Sequence, residues 1–279
     1  MHFVYALSPD FASQLYLSLR SLFASETVVD GVTVFSIGGK IKLDTKKLPI
    51  EVLEVSTKSS DYWMMNKAYV SDVKKESVTF LDTDIIVIDS INKAVESEKD
   101  VLARRATACT LDTYDESIWR SYLRENDAEV EMPPLNTGFI RFQNGIHHGL
   151  GEEWERCMYD AWEQGFFGNG YHASQWSLPA VLGRRGATYS LLGPSEHAFA
   201  WEGDHWEGAT LYHTGASNFF STIRAMKDPG FLHADLPIPR PNVTWNYVKD
   251  RLGKKWEALT SEEEAANADV WRKEKHNYT

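Results

Sequence analysis

Up to residue 90, short apolar runs alternate with segments whose apolar residues recur every three or four positions. The runs predict strands at residues 3–7, 32–37 and 77–81, and an alternating segment predicts another at 50–55. The periodic segments predict helices at residues 11–23 and 62–73, and a further apolar run covers residues 85–88. Strands that alternate with helices indicate an α/β fold with a mostly parallel central sheet flanked by helices. Ligands of such folds bind at the carboxyl ends of the strands.

Beyond residue 90 the alternation is looser. We predict helices at 91–97, 116–124, 152–163 and 173–182, and strands at 101–111, 135–142 and 209–212. A proline-rich stretch at 237–241 precedes two further predicted helices at 245–258 and 261–273. We therefore expect one main domain over residues 1–230 and a helical C-terminal extension over residues 231–279.

Composition narrows the classes of partner. The formal net charge is −11 and the isoelectric point is about 5.3, which argues against a nucleic-acid-binding protein because such binding needs clustered Lys and Arg. An acidic protein with an anionic substrate needs a bound cation or a few well-placed bases. Two cysteines fit a reducing, cytoplasmic setting. No apolar stretch reaches the roughly 20 residues of a transmembrane helix.

An acidic turn carries the first chemical signal. Asp82 and Asp84 stand two residues apart where a predicted buried strand ends. Carboxylates this close repel each other unless a cation lies between them, and their oxygens suit Mg²⁺ or Mn²⁺. Acidic turns without a metal are common at strand ends. Here apolar residues flank the turn on both sides, so we expect at least one carboxylate to be partly buried and paired.

The stretch Phe80-Leu81-Asp82-Thr83-Asp84-Ile85-Ile86-Val87 resembles the metal-binding turn of GT-A glycosyltransferases, and the wider pattern is similar to glycosyltransferase family 8. Further matches follow in the family's order over residues 3–225. They are the lysine Lys67, the strand motif Pro134-Leu135-Asn136-Thr137-Gly138-Phe139-Ile140, the helix start Ser174-Gln175-Trp176-Ser177-Leu178 and the late motif Tyr212-His213-Thr214-Gly215. Each has an ordinary structural explanation by itself, such as a β-bulge at the glycine of the strand motif. Their joint order carries the resemblance.

The resemblance implies transfer of a sugar from a nucleotide-diphosphate sugar, with a UDP-sugar favoured, to a carbohydrate or other hydroxyl acceptor with retention. It makes Asp82, Asp84 and His213 the ligands of Mn²⁺ or Mg²⁺, and Gln175 the catalytic candidate. The nucleotide-binding candidates are Ala6, Ser8, Asp10, Lys67 and Thr83. The candidates for contact with the donor sugar or the acceptor are Asp112, Asn136, Thr137, Gly138, Ser174, Trp201, Gly215 and Asn218.

Several positions depart from the family pattern. Ser174 replaces the Asp of an Asp-Gln pair, Asn218 stands where a Lys is expected, and one residue instead of two separates His213 from Gly215. The diphosphate then needs another cation, and the candidates are Arg141, Arg184, Arg185 and Arg224. For an inverting reaction the candidate bases are Asp112, Asp115, Glu202 and Asp204.

Two other functions stay open. One is a phosphatase of the haloacid dehalogenase type, in which Asp82 and Asp84 are nucleophile and acid. The long segment before Asp82 counts against it. The other is a non-catalytic nucleotide-sugar-binding protein with the same fold, against which the complete set of Asp82, Asp84 and His213 speaks.

Overall fold

The computed structural model describes residues 1–41, 48–107, 116–163, 172–226 and 229–232. They form two compact units. The first contains Met1–Ser56, Asp82–Ala94 and the described residues from Gly193 onwards, and the second contains Thr57–Leu81 and Val95–Leu192. The predicted C-terminal extension lies outside the described residues from position 233 onwards, including its predicted helices at 245–258 and 261–273, so the division near residue 230 stays a prediction.

Within these residues the strands, in chain order, are β1 (His2–Leu7), β2 (Gly31–Ile37), β3 (Ile50–Val55), β4 (Val78–Leu81), β5 (Ile85–Val87), β6 (Val101–Arg105), β7 (Leu135–Phe142), β8 (Tyr189–Leu192), β9 (His197–Phe199) and β10 (Leu211–His213). The α-helices are α1 (Ala12–Ala24), α2 (Ile91–Ala94), α3 (Glu116–Glu125), α4 (Gly151–Glu163), α5 (Ala173–Arg184) and α6 (Phe219–Ala225). Most predicted boundaries differ from these by one or two residues.

The first unit contains two groups of strands. β1 pairs in parallel with β2, and β2 with β3. A short sheet has the order β5-β10-β9, with β10 antiparallel to β5 and parallel to β9. Every residue of β2 and β5 is buried, and helix α1 packs against β5. The register sets His213 opposite Ile85, one residue after the acidic turn.

In the second unit the strand order is β4-β7-β6-β8. β7 is antiparallel to β4 and β6, whereas β6 and β8 are parallel. Helix α5 packs against β7 and against α4. The segment predicted as a helix at 62–73 is a 3₁₀ helix, Trp63–Asp72, which α4 also contacts.

These elements confirm the predicted α/β fold class, in which strands packed against helices build the core and parallel pairs outnumber antiparallel ones. The extra strands β8 and β9 and the helix α6 were not predicted, because elements of three to seven residues carry too little periodicity. In the part of the chain that the structure describes, no helix combines the length and apolar character of a membrane span.

Candidate functional site

The acidic turn and His213 lie together in the first unit. Asp84 and His213 are buried and Asp82 is half-buried. One ligand atom from each of the three lies within 4.8 Å of the others. Asp84 Oδ1 is 3.3 Å from His213 Nε2. Two carboxylates and one imidazole at this spacing form a donor set that suits Mn²⁺ or Mg²⁺, with substrate oxygens as the remaining ligands.

Backbone pairing brings these ligands together. The antiparallel register of β5 and β10 carries His213 to the residue next to Asp84. The chain then continues with Thr214, whose backbone N and side-chain Oγ1 both donate to the carbonyl oxygen of Asp84, at 3.1 and 2.9 Å. These hydrogen bonds join backbone groups to each other or to a buried hydroxyl. They therefore fix the backbone of Asp84 next to that of His213.

Aromatic packing orients the His213 ring. His197 stacks on it with a centroid distance of 5.6 Å, and Phe199 and Trp201 meet it edge to face at 5.9 and 4.8 Å. Its Nδ1 is buried and has no hydrogen-bond partner among the described residues. Metal-bound histidines usually donate this second nitrogen to an acceptor. Here ring packing takes over the orienting role, and sequence reasoning had not identified His197 or Phe199.

The second unit gathers three other predicted residues. Lys67 is buried, and its Nζ donates to the carbonyl oxygen of Thr137 at 3.1 Å and to its Oγ1 at 3.4 Å. The same ammonium lies 5.5 Å from the centre of the Phe80 ring. Thr137 Oγ1 is 3.2 Å from Ser174 Oγ, and the backbone N of Ser174 donates to Tyr62 Oη at 2.9 Å. We call Lys67, Thr137, Ser174 and Tyr62 the lysine cluster.

The Asn-Thr-Gly motif interrupts the pairing of β7 with β6. The register shifts between Ala103 and Arg105, so residues 136–139 have too few partners on β6. Within this irregularity Asn136 Oδ1 accepts a bond from the backbone N of Gly138 at 3.0 Å. A bulge changes the direction of side chains locally. A β-bulge at this motif is therefore compatible with the predicted contact between its side chains and a ligand.

Gln175 lies in the first turn of α5 and is half-buried. Its Nε2 is 3.4 Å from His172 Nδ1, and its backbone N donates to the His172 carbonyl at 2.8 Å. This places it one residue after Ser174 of the lysine cluster. Asp112 and Asp115 lie outside the described residues.

The remaining predicted residues lie in the first unit. Ala6 is in β1, Ser8 follows it, and Asp10 is exposed in the 3₁₀ helix Pro9–Phe11. Gly215 has a φ of 73°, a conformation that favours glycine. The exposed Asn218 donates its backbone N to the Gly215 carbonyl at 3.0 Å.

Two of the alternative cations are already engaged. Arg184 and Arg185 both pair with Glu153, each with a nitrogen 3.0 Å from a carboxylate oxygen. Arg141 donates to Gln143 at 3.1 Å, and burial lowers the pKa of its guanidinium. The side chain of Arg224 lies outside the described part of the structure. These contacts disfavour Arg184 and Arg185 as the missing diphosphate contact.

Sequence reasoning missed Gln14. It is fully buried in α1, where Oε1 accepts from Thr83 Oγ1 at 3.1 Å and Nε2 donates to the Ala216 carbonyl at 3.1 Å. It thus contacts both segments that carry the candidate metal ligands.

No protein family model matches the chain, and no curated protein sequence does. Solved structures match in fold. The galactosyltransferase LgtC, in complex with donor and acceptor sugar analogues, is 15% identical, with 76% of this chain and 86% of that chain covered and a TM-score of 0.51. The glycosyltransferase GlyE of Streptococcus pneumoniae TIGR4 is 13% identical, with 98% of this chain and 64% of that chain covered and a TM-score of 0.51. The bifunctional glycosyltransferase WbbM is 9% identical, with 84% of this chain and 50% of that chain covered and a TM-score of 0.54.

Identities this low establish the fold alone. The chain has the GT-A glycosyltransferase fold, as the order of its motifs predicted.

Proposed function

We propose that the protein is a metal-dependent glycosyltransferase that moves a sugar from a UDP-sugar to a hydroxyl of a saccharide or other acceptor, with retention. The observation that carries the proposal is the grouping of Asp82, Asp84 and His213 within 4.8 Å, in a chain with the GT-A fold. The net charge of −11 adds to it, because an acidic protein needs a local cation to accept a diphosphate.

Mn²⁺ or Mg²⁺ is the proposed ion, held by Asp82, Asp84 and His213. The donor set fits either ion, since both take carboxylate oxygens and complete their coordination with phosphate oxygens. When bound, such an ion supplies Lewis-acid stabilisation for the negative charge on the leaving diphosphate.

The nucleoside is assigned to Ala6, Ser8 and Asp10, since the carboxyl end of a parallel strand is the usual ligand position in α/β folds. Thr83, between the two metal-binding carboxylates, is assigned to the diphosphate. In the second unit Lys67 supplies a positive charge that Thr137 holds in place. Asn136, Thr137, Gly138 and Ser174 are assigned to the donor sugar.

Gln175 is the proposed catalytic residue. A side-chain amide donates and accepts hydrogen bonds but does not ionise at neutral pH. Gln175 therefore fits a role in binding the reacting sugar rather than as a general base. For retention we propose that the acceptor oxygen bonds to the anomeric carbon on the face from which the diphosphate leaves. The acceptor's proton then passes to the departing phosphate oxygen.

Trp201 is the proposed acceptor platform, with Gly215 and Asn218 in the same unit. Its ring is 39% exposed, stacks on Phe199 at 4.5 Å and meets the metal ligand His213 edge to face. An exposed aromatic ring that is fixed from below offers a flat apolar face at little entropic cost, which suits the C–H face of a sugar. We also propose a reducing, cytoplasmic setting, supported by the two cysteines alone.

The test is a thermal-shift series with UDP, UDP-glucose, UDP-galactose and UDP-N-acetylglucosamine, each with and without Mn²⁺, followed by measurement of UDP release. We expect Mn²⁺-dependent stabilisation, because a ligand that binds the folded state alone raises the apparent stability, and slow Mn²⁺-dependent hydrolysis of one donor. Equal stabilisation without metal contradicts the metal site.

The two other functions have their own readouts. Phosphate release from p-nitrophenyl phosphate that Asp82→Asn abolishes identifies a phosphatase. Stabilisation by a UDP-sugar without hydrolysis or transfer identifies a non-catalytic binding protein.

A further inference from the structure

Helix α1 carries a polar row on a buried face. Gln14, Ser18, Ser21 and Ser25 follow one another at intervals of four, three and four residues, so they share one side of the helix. All four are buried, and Gln14 and Ser18 are fully so. Buried polar groups are normally hydrogen-bonded, which raises the question of what this row binds.

Two members of the row bind strand β5. Ser18 Oγ donates to the carbonyl oxygen of Ile85 at 2.8 Å, and the backbone N of Val87 donates to Ser21 Oγ at 2.9 Å. Among the described strands, β5 is the outer one of its sheet and pairs only with β10. The serines therefore satisfy backbone groups that a neighbouring strand would otherwise bind.

Gln14, the first member of the row, binds the segments that supply the metal ligands. Its Oε1 accepts from Thr83, which stands between Asp82 and Asp84, and its Nε2 donates to Ala216, three residues after His213. One rigid amide thus joins the acidic turn to the segment after β10. Both ends of this amide are used, so the side chain has little freedom to turn.

We infer that Gln14 is a positioning residue. Through Thr83 it orients the Asp82–Asp84 turn towards His213, whose backbone is already paired with that of Ile85, and it thereby raises the affinity of the site for its divalent cation. This inference rests on the proposed metal centre. Residues that hold metal ligands from behind commonly change metal affinity by roughly 10- to 100-fold when they are replaced. Gln14 acts on both ligand-bearing segments at once, so we expect an effect in this range.

A purely structural role is the competing explanation, because removal of any buried amide destabilises a fold. Ser21 provides the matched control. It is buried in the same row as Gln14 and bonds to strand β5, but its partner Val87 lies three residues beyond Asp84. Ser21→Ala should lower the melting temperature without changing the affinity for the cation.

The experiment titrates MnCl₂ into the full chain and follows the electron paramagnetic resonance signal of free Mn²⁺. The variants are Gln14→Met, Thr83→Val, the double variant and Ser21→Ala. We expect the Kd for Mn²⁺ to rise about 10-fold or more in both Gln14→Met and Thr83→Val. The double variant should show less than the product of the two effects, because both substitutions remove the same bond. Ser21→Ala should stay within about twofold of the wild type.

A Kd of Gln14→Met and Thr83→Val equal to that of Ser21→Ala overturns the inference and leaves the metal centre standing. A wild-type chain that shows no saturable Mn²⁺ binding overturns the metal centre itself, and the inference with it. If Gln14→Met does not fold, Thr83→Val decides the question, since it removes a single hydroxyl at a half-buried position.

Discussion

The proposed metal centre of the first unit and the lysine cluster of the second are built in opposite ways. The proposed metal ligands are set mainly by backbone pairing. The register of β5 and β10 places His213, and two bonds from Thr214, one from its backbone N and one from its hydroxyl, hold the carbonyl of Asp84. The lysine cluster is held mainly by hydrogen bonds of its side chains. Lys67 donates to Thr137, the hydroxyls of Thr137 and Ser174 bond to each other, and the Tyr62 hydroxyl accepts from the backbone N of Ser174.

The difference teaches which changes each region tolerates. A site set by the backbone loses its chemistry when a ligand is replaced but keeps its shape. A cluster built from side chains loses its shape when any member is replaced. Substitution at the metal centre should therefore act mainly on activity, and substitution in the lysine cluster mainly on stability.

The largest expected effect is at Asp84. Asp84→Asn removes one carboxylate charge from the metal centre and keeps the side-chain volume, so we expect UDP-sugar turnover to fall by about 100-fold or more with the free energy of unfolding nearly unchanged. Turnover at saturating Mn²⁺ and urea unfolding measure the two effects.

The matched control is Asp89→Asn, an exposed residue five positions further along the chain. It should retain activity. Equal loss of turnover in both variants would contradict the assignment of Asp84.

Tyr62→Phe breaks the lysine cluster. The substitution removes the acceptor of the buried Ser174 amide, and an unsatisfied buried N–H costs about 1–3 kcal/mol. Urea unfolding measures this loss. The control is Tyr159→Phe, because Tyr159 is exposed and bonds to Glu163 on its own helix. We expect that change to stay within about 0.5 kcal/mol, and similar losses in both variants would show that the cluster contributes little.

The buried ring of His147 should make the stability of the second unit depend on pH. Burial lowers the pKa of its ring to about 4, below the usual 6.5. Between these values the unfolded chain binds a proton that the folded chain does not, so stability falls as the pH drops through this window. From pH 7 to pH 5 the loss should be about 1–2 kcal/mol.

Urea unfolding at both pH values should show this part of the acid loss removed in His147→Gln. His148→Gln is the control, since that neighbouring ring is only half-buried and bonds to the Lys75 carbonyl at 2.9 Å. An acid loss in His147→Gln as large as in the wild type would show that His147 does not cause it.

The smallest effect is expected at the surface of the second unit. Arg120 pairs with Glu116 and Glu131 at 3.0 Å, and all three side chains are half-exposed or more. Exposed ion pairs contribute little, so Glu116→Gln should change the free energy of unfolding by less than about 0.5 kcal/mol. A loss as large as that of Tyr62→Phe would contradict the distinction between buried cluster and surface pair.

Much of the fold follows from local patterns. The strands β1 to β3 and the amphipathic helix α4 were predicted almost to the residue, because the pattern of apolar residues reflects which side of an element is buried. The helix predicted at 62–73 has the 3₁₀ form over Trp63–Asp72, a form that the apolar spacing of a short segment does not distinguish from an α-helix. Asp82, Asp84 and His213 were predicted from their flanks and from the order of the motifs.

The role of Gln14 was beyond such reasoning. The apolar positions Phe11, Leu15, Leu19 and Leu22 indicated one buried face of α1, and polar residues between them normally face water. In the structure Gln14 binds Thr83, 69 residues away in sequence, and Ala216, 202 residues away.

The sequence by itself determined the α/β class and the acidic turn, because apolar spacing and residue chemistry are local properties, whereas His213 was predicted only from the resemblance to the GT-A glycosyltransferases. Only the tertiary structure decided how those ligands are held. The outer edge of β5 needs hydrogen-bond partners, and which side chains provide them depends on the helix that packs there. That packing turns a polar face of α1 into a buried support for the metal centre.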